Sequence, residues 1–118
     1  MQKLNLKEIS QQLREFADAR DWEQFHSPKN LSMALSVEAS ELVECFQWLT
    51  EEQSYALSSS QLDAVEEEIA DIQLYLIRLA DKLGVDIGVA VEKKIEKNGA
   101  KYPADRVKGS SKKYTEYK

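Results

Sequence analysis

The sequence predicts an all-α protein, a four-helix bundle, and three observations carry that expectation. Apolar residues recur at three- and four-residue spacing through four long segments. Helix-opening and helix-closing residues punctuate those segments. No run of useful length alternates apolar and polar residues as a half-buried strand would.

The first helix opens at Asn5, which forms a capping-box-like start with Glu8. Leu6, Ile9, Leu13, Phe16 and Ala17 then share one face. The helix ends near Arg20, and the segment DWEQFH connects it to the second. Ser27-Pro28 supplies an N-cap and a first helical residue, so the second helix runs from Pro28 to about Leu49. The polar stretch TEEQSYALSSS breaks it. A third helix runs from about Gln61 to Lys82 and stops at Gly84. Asp86 caps a fourth, from Ile87 to about Lys97, with Gly99 beyond its end. Residues 1–104 read as one helical domain and residues 105–118 as a polar tail.

Composition bounds the function. The chain has 118 residues, room for one domain, and a formal net charge of -5. That charge argues against binding a nucleic-acid polymer or an anionic membrane surface, because phosphates attract basic patches. Cys45 is the single cysteine, so no intrachain disulfide forms. No apolar run is long enough to span a bilayer. The segment MQKLNLKEIS lacks the apolar core of a signal peptide. The expectation is a cytoplasmic protein.

Two helices carry acids where apolar residues belong. At 100 degrees per residue, Leu31, Leu35, Leu42, Cys45 and Leu49 share an arc with Glu38 near its centre. Glu41 lies about 60 degrees to one side by the same geometry, and Trp48 follows nearly in line with it. On the third helix Val65, Ile72, Leu76, Leu79 and Leu83 define an arc that contains Glu68, with Asp71 one turn along and Tyr75 a turn beyond. One such pair on an acidic helix is a solvated face. Two pairs, each centred on a face that must pack, need another account. Burying an unpaired carboxylate is costly, so such groups are paired, neutralised or bound to metal. Arg78 and Lys82 lie at the edge of the third helix, and Lys94 shares a stripe of the fourth with Ile87, Val91 and Asn98. One lysine does not balance four acids. An all-oxygen ligand set suits magnesium or manganese.

The remaining residues narrow the chemistry. A carboxylate di-iron centre needs Glu-x-x-His pairs, and the only histidine, His26, lies in a loop. Nucleophilic triads fail for the same reason. Cys45 lies on the packing arc and reads as core. No glycine-rich phosphate loop is present. Metal-assisted attack of water on a phosphorus centre is what remains, with Trp48 and Tyr75 beside the acids as stacking surfaces for a flat base and Trp22 as a third wall.

These residues resemble a known family. Glu38-Ala-Ser-Glu41, a gap of 26 residues and Glu68-Ile-Ala-Asp71 look like the ExxE…ExxD signature of the MazG-like all-α nucleoside triphosphate pyrophosphohydrolases. The words RDWEQFH, FQW, KYP and KYTE are similar to its deoxycytidine triphosphate pyrophosphatase branch, over most of the chain from Leu6 to Tyr114. The resemblance implies cleavage between the α and β phosphates of a triphosphate such as dCTP, giving a monophosphate and pyrophosphate. It implies that Glu38, Glu41, Glu68 and Asp71 bind Mg2+, with Mn2+ as a substitute, and that Glu41 and Glu38 serve catalysis. Trp22, Trp48, Tyr75, Lys94 and Asn98 match substrate-binding positions. One departure stands out: Leu13 occupies a place where the animal branch carries a histidine near the base.

The family also implies a homodimer or homotetramer. The residues agree, because small helical domains bury limited area and often need a partner. Ile69, Leu74 and Ile77 extend the apolar surface of the third helix around its axis. Two alternatives stay open: a related all-α hydrolase acting on dUTP or phosphoribosyl-ATP, and a non-enzymatic metal-binding helical module.

Overall fold

The computed structural model describes residues 3–111. Its order is α1 (Leu6–Ala19), a 3-10 turn (Glu23–Phe25), α2 (Pro28–Glu44), α3 (Glu51–Ser54), α4 (Ser59–Leu83), α5 (Ile87–Lys101) and α6 (Ala104–Val107). No strand occurs among the described residues. The all-α expectation is met, and the four long helices are the four that periodicity marked out.

Local chemistry sets most of the boundaries. The Asn5 side chain accepts from the Glu8 amide, and the Ser27 hydroxyl from the Asn30 amide with Pro28 at the first helical position. Ser58 and Gln61 exchange side-chain and backbone hydrogen bonds in a full capping box at the head of α4. Gly84 closes α4 at φ 67°, a left-handed conformation that costs glycine nothing.

Three boundaries differ from expectation. The second helix ends at Glu44 rather than Leu49. Its last turn tightens into three-residue bonds, from the Phe46 amide to Val43 O and from Leu49 to Phe46 O. Thr50 then adopts an extended backbone to cap α3, in a second capping box with Gln53, which a continuing helix would forbid. Gly99 lies inside α5, not past its end. Its propensity cost of about 1 kcal/mol is outweighed by continued helical bonding, and Pro103 is the residue that stops the chain. The segment expected to begin the polar tail includes a one-turn helix, α6. The rest of that tail, residues 112–118 with the KYTE motif, lies outside the described residues.

The chain forms two compact units, Met1–Val85 and Asp86–Lys118. In the first, α4 packs against α2 and against α1. Ala17, Leu31, Val65 and Ile77 are buried apolar residues there. Because α4 serves two neighbours, its covered face is shifted from the expected arc toward Ile77. Ile77 is 1% exposed, whereas Leu76 and Leu83 are 40% and 57% exposed. Arg14 grips Asp81 with two hydrogen bonds of 2.7 and 2.8 Å and ties α1 to the end of α4. The second unit consists of α5 and α6. No described helix is long and apolar enough to cross a membrane.

Candidate functional site

Helical periodicity on α2 and α4 brings Glu38, Glu41 and Glu68 together, each offering a carboxylate oxygen within 4.8 Å of the others. All three are half-buried. The Glu38 and Glu68 Oε2 atoms are buried without a hydrogen-bond partner. Buried acceptors normally find one, so two orphans in one cluster need a reason.

Among the described residues no basic side chain supplies it. The ion pairs among the described residues lie elsewhere, with Arg14 on Asp81 and with Arg78 and Lys82 on Glu23. Arg78 and Lys82, which the sequence leaves as possible partners for the acids, are thereby committed to other carboxylates. Burial pushes the Glu38 carboxyl up to about 7, helped by hydrogen bonding with Glu41 and Glu68 and by the charges of Glu41 and Asp71. Burial also raises the Glu68 carboxyl, with the charges of Glu41 and Asp71 adding to the shift. An all-oxygen cluster with orphaned lone pairs and a resisted charge is a fit for a hard divalent cation.

Asp71 stands one turn beyond Glu68 on α4, half-buried, close enough for its charge to raise both glutamates. It is not one of the three clustered acids, but it lines a cavity of about 180 Å³. Phe16, Trp22 and His26 line this cavity on one side, and Asp71, Tyr75 and Arg78 on the other. Leu13 adds an aliphatic wall. A tight turn aims the rings: Asp21 takes φ 54°, tolerable for an aspartate, and its carbonyl and carboxylate accept from the Gln24 side chain. Trp22 then packs edge-on against Phe16 at 5.6 Å and against His26 at 6.2 Å between centroids.

Expected site residues therefore divide. Glu38, Glu41 and Glu68 converge, and Asp71, Trp22 and Tyr75 line one cavity. Trp48 does not line that cavity. Because α2 ends at Glu44, Trp48 is not in line with Glu41 and is 86% exposed. Lys94 and Asn98 lie one turn apart on the exposed surface of α5, in the second unit. His26 and Arg78 are site residues that the periodicity did not single out, and Phe16, which it placed on the apolar face of the first helix, lines the cavity as well. A usable signal was present in Arg78, a cation one turn beyond Tyr75 on the same helix.

A family model described as the MazG-like family matches residues 33–117. Human dCTP pyrophosphatase 1 is 43% identical over 113 residues, which cover 94% of this chain and 66% of the human protein. The bovine dCTP pyrophosphatase 1 is also 43% identical over 113 residues, covering 94% of this chain and 67% of its own. The chain thus spans about two thirds of the length of these curated relatives. The crystal structure of a pyrophosphatase from Archaeoglobus fulgidus superposes with a TM-score of 0.80 at 39% identity, covering 87% of this chain and 96% of that one.

Proposed function

Since the chain belongs to the MazG-like family, we propose that it is a nucleoside triphosphate pyrophosphohydrolase that cleaves dNTPs such as dCTP to the monophosphate and pyrophosphate. One observation carries the reading beyond family membership. The acids with orphaned oxygens feel the charge of Asp71, which itself lines an aromatic cavity, so Asp71 links a phosphate site to a flat-ring site. Glu38, Glu41 and Glu68, with Asp71, would hold Mg2+, or Mn2+ in its place, which neutralises the phosphates and makes water a better nucleophile when bound.

The residues of the chain do the rest. Glu41 orients the attacking water and accepts its proton, and Glu38 beside it helps to hold that water in place. The water oxygen bonds to the α-phosphorus, the α–β bridging oxygen departs with pyrophosphate, and the monophosphate remains. Trp22 and Tyr75 flank the base. Trp48, Lys94 and Asn98 complete the substrate contacts in the assembled enzyme. The same reading makes the enzyme a cytoplasmic homodimer or homotetramer that clears nucleotides from the pool, and the exposed Val37, Val43 and Ile69 support assembly.

The test is hydrolysis in oxygen-18 water over the eight common ribo- and deoxyribonucleoside triphosphates. Label in the monophosphate is expected. Label in orthophosphate, with a diphosphate as co-product, would replace this reaction by γ-phosphate hydrolysis. A preference for dUTP would favour a sister specificity, and no turnover would leave only a binding module.

A further inference from the structure

We infer that Arg78 is a positioning residue that holds His26 as its Nε2–H tautomer, presenting one fixed hydrogen-bond donor to a pyrimidine base in the aromatic cavity. The occupant rests on the nucleotide reading above; the state of the ring does not.

A guanidinium donates and never accepts. The Arg78 Nε–H meets His26 Nδ1 at 3.3 Å, so Nδ1 is the acceptor and the ring proton sits on Nε2. The arrangement is held firmly. Arg78 is only 4% exposed, and its remaining nitrogens reach Glu23 and Asp81. Glu23 is held in turn by Lys82, and Asp81 by Arg14. The other tautomer, with its proton on Nδ1, would set donor against donor at the buried guanidinium, and a flipped ring would offer it only a C–H. Burial and the Arg78 charge also lower the His26 pKa, with Glu23 opposing and Lys82 assisting, which favours the neutral ring.

Of the charged groups in the lining, Asp71 is assigned to the cation in the reading above and Arg78 is committed to Glu23 and Asp81, and the rings are poor at telling bases apart. Phe16, Trp22 and Tyr75 offer faces and edges, and stacking tolerates any base. A fixed donor discriminates, because a base edge presenting its own N–H would leave it unpaired. It selects a carbonyl oxygen or an unprotonated ring nitrogen. The cavity of about 180 Å³ is smaller than those enclosing whole drug-sized ligands and suits a single ring.

The sole histidine makes the test clean. In the full chain labelled with nitrogen-15, the ring should show a pyridine-like Nδ1 and a pyrrole-like Nε2 at neutral pH. Arg78→Met should give mixed tautomers. Rates over the deoxynucleotides should then show His26→Phe raising KM for the best pyrimidine about tenfold, with kcat nearly unchanged and the order of bases flattened. His26→Gln, which keeps a donor, should restore part of the preference. If Arg78→Met fails to fold, the two His26 variants decide. A protonated Nδ1 in the unaltered chain overturns the inference, as does an unchanged base order in His26→Phe with normal turnover. No turnover on any triphosphate by the unaltered chain overturns the nucleotide reading instead.

Discussion

At the residue scale, the acids govern both activity and pH behaviour. Replacing Glu38 or Glu68 by glutamine should lower turnover by about a hundredfold or more, since each removal strips charge aimed at the phosphates. The helical fold should survive, as circular dichroism would show. The sign of the pH effect follows from the shift. Glu38 titrates near 4.5 when unfolded and near 7 when folded, so the folded state binds the extra proton between those values. Stability of the metal-free protein should therefore fall as pH rises from about 4.5 to 7, and Glu38→Gln should flatten that slope in urea titrations. A slope of the opposite sign would contradict the raised carboxyl. The aromatics make a second prediction. Trp48→Ala should leave the melting temperature nearly unchanged, because the ring is 86% exposed, yet raise KM roughly tenfold if it stacks in the assembled enzyme. The acids were legible in the sequence because helical period alone put Glu38 and Glu68 on packing arcs. The Arg78–His26 contact was not, because it joins residues 52 apart and no periodicity encodes such a pairing.

At the element scale, caps decide where helices begin and end. Ser58→Ala removes one half of the capping box at the head of α4 and should cost about 1 kcal/mol, read as a lower urea midpoint with an unchanged slope. The existence and order of the long helices were legible because their apolar periods are long. Their ends were less so. Thr50-Glu51-Glu52-Gln53 carries a full capping box that reads as mere polar sequence until its backbone turns. Gly99 looked like a stop because isolated glycines often are, but Pro103, four residues on, is the stronger terminator.

At the scale of the whole molecule, the apolar surface left uncovered is the main observation. Val37 and Val43 on α2 and Ile69 on α4 are all more than half exposed. Sedimentation should give a mass that is a multiple of the 13.5 kDa chain, and the melting temperature should rise with protein concentration, as assembly requires. A concentration-independent monomer would refute the assembled form. The helix wheel hinted at this through Ile69 and Leu74, which are exposed, but it also named Ile77, which is core. Period alone does not say which neighbour covers a face.

The crowding of Glu38 and Glu68 also bears on how such a gene ages. Burial and the charges of Glu41 and Asp71 press on both carboxyls, so amide or aliphatic replacements should fold at least as well, and only selection for the activity keeps the acids. A lineage released from the need to clear nucleotides would meet no folding penalty in losing them and some gain. Its descendants would drift toward sturdier, inert proteins, with Leu31, Val65 and Ile77 still in place and the acids among the first residues to go.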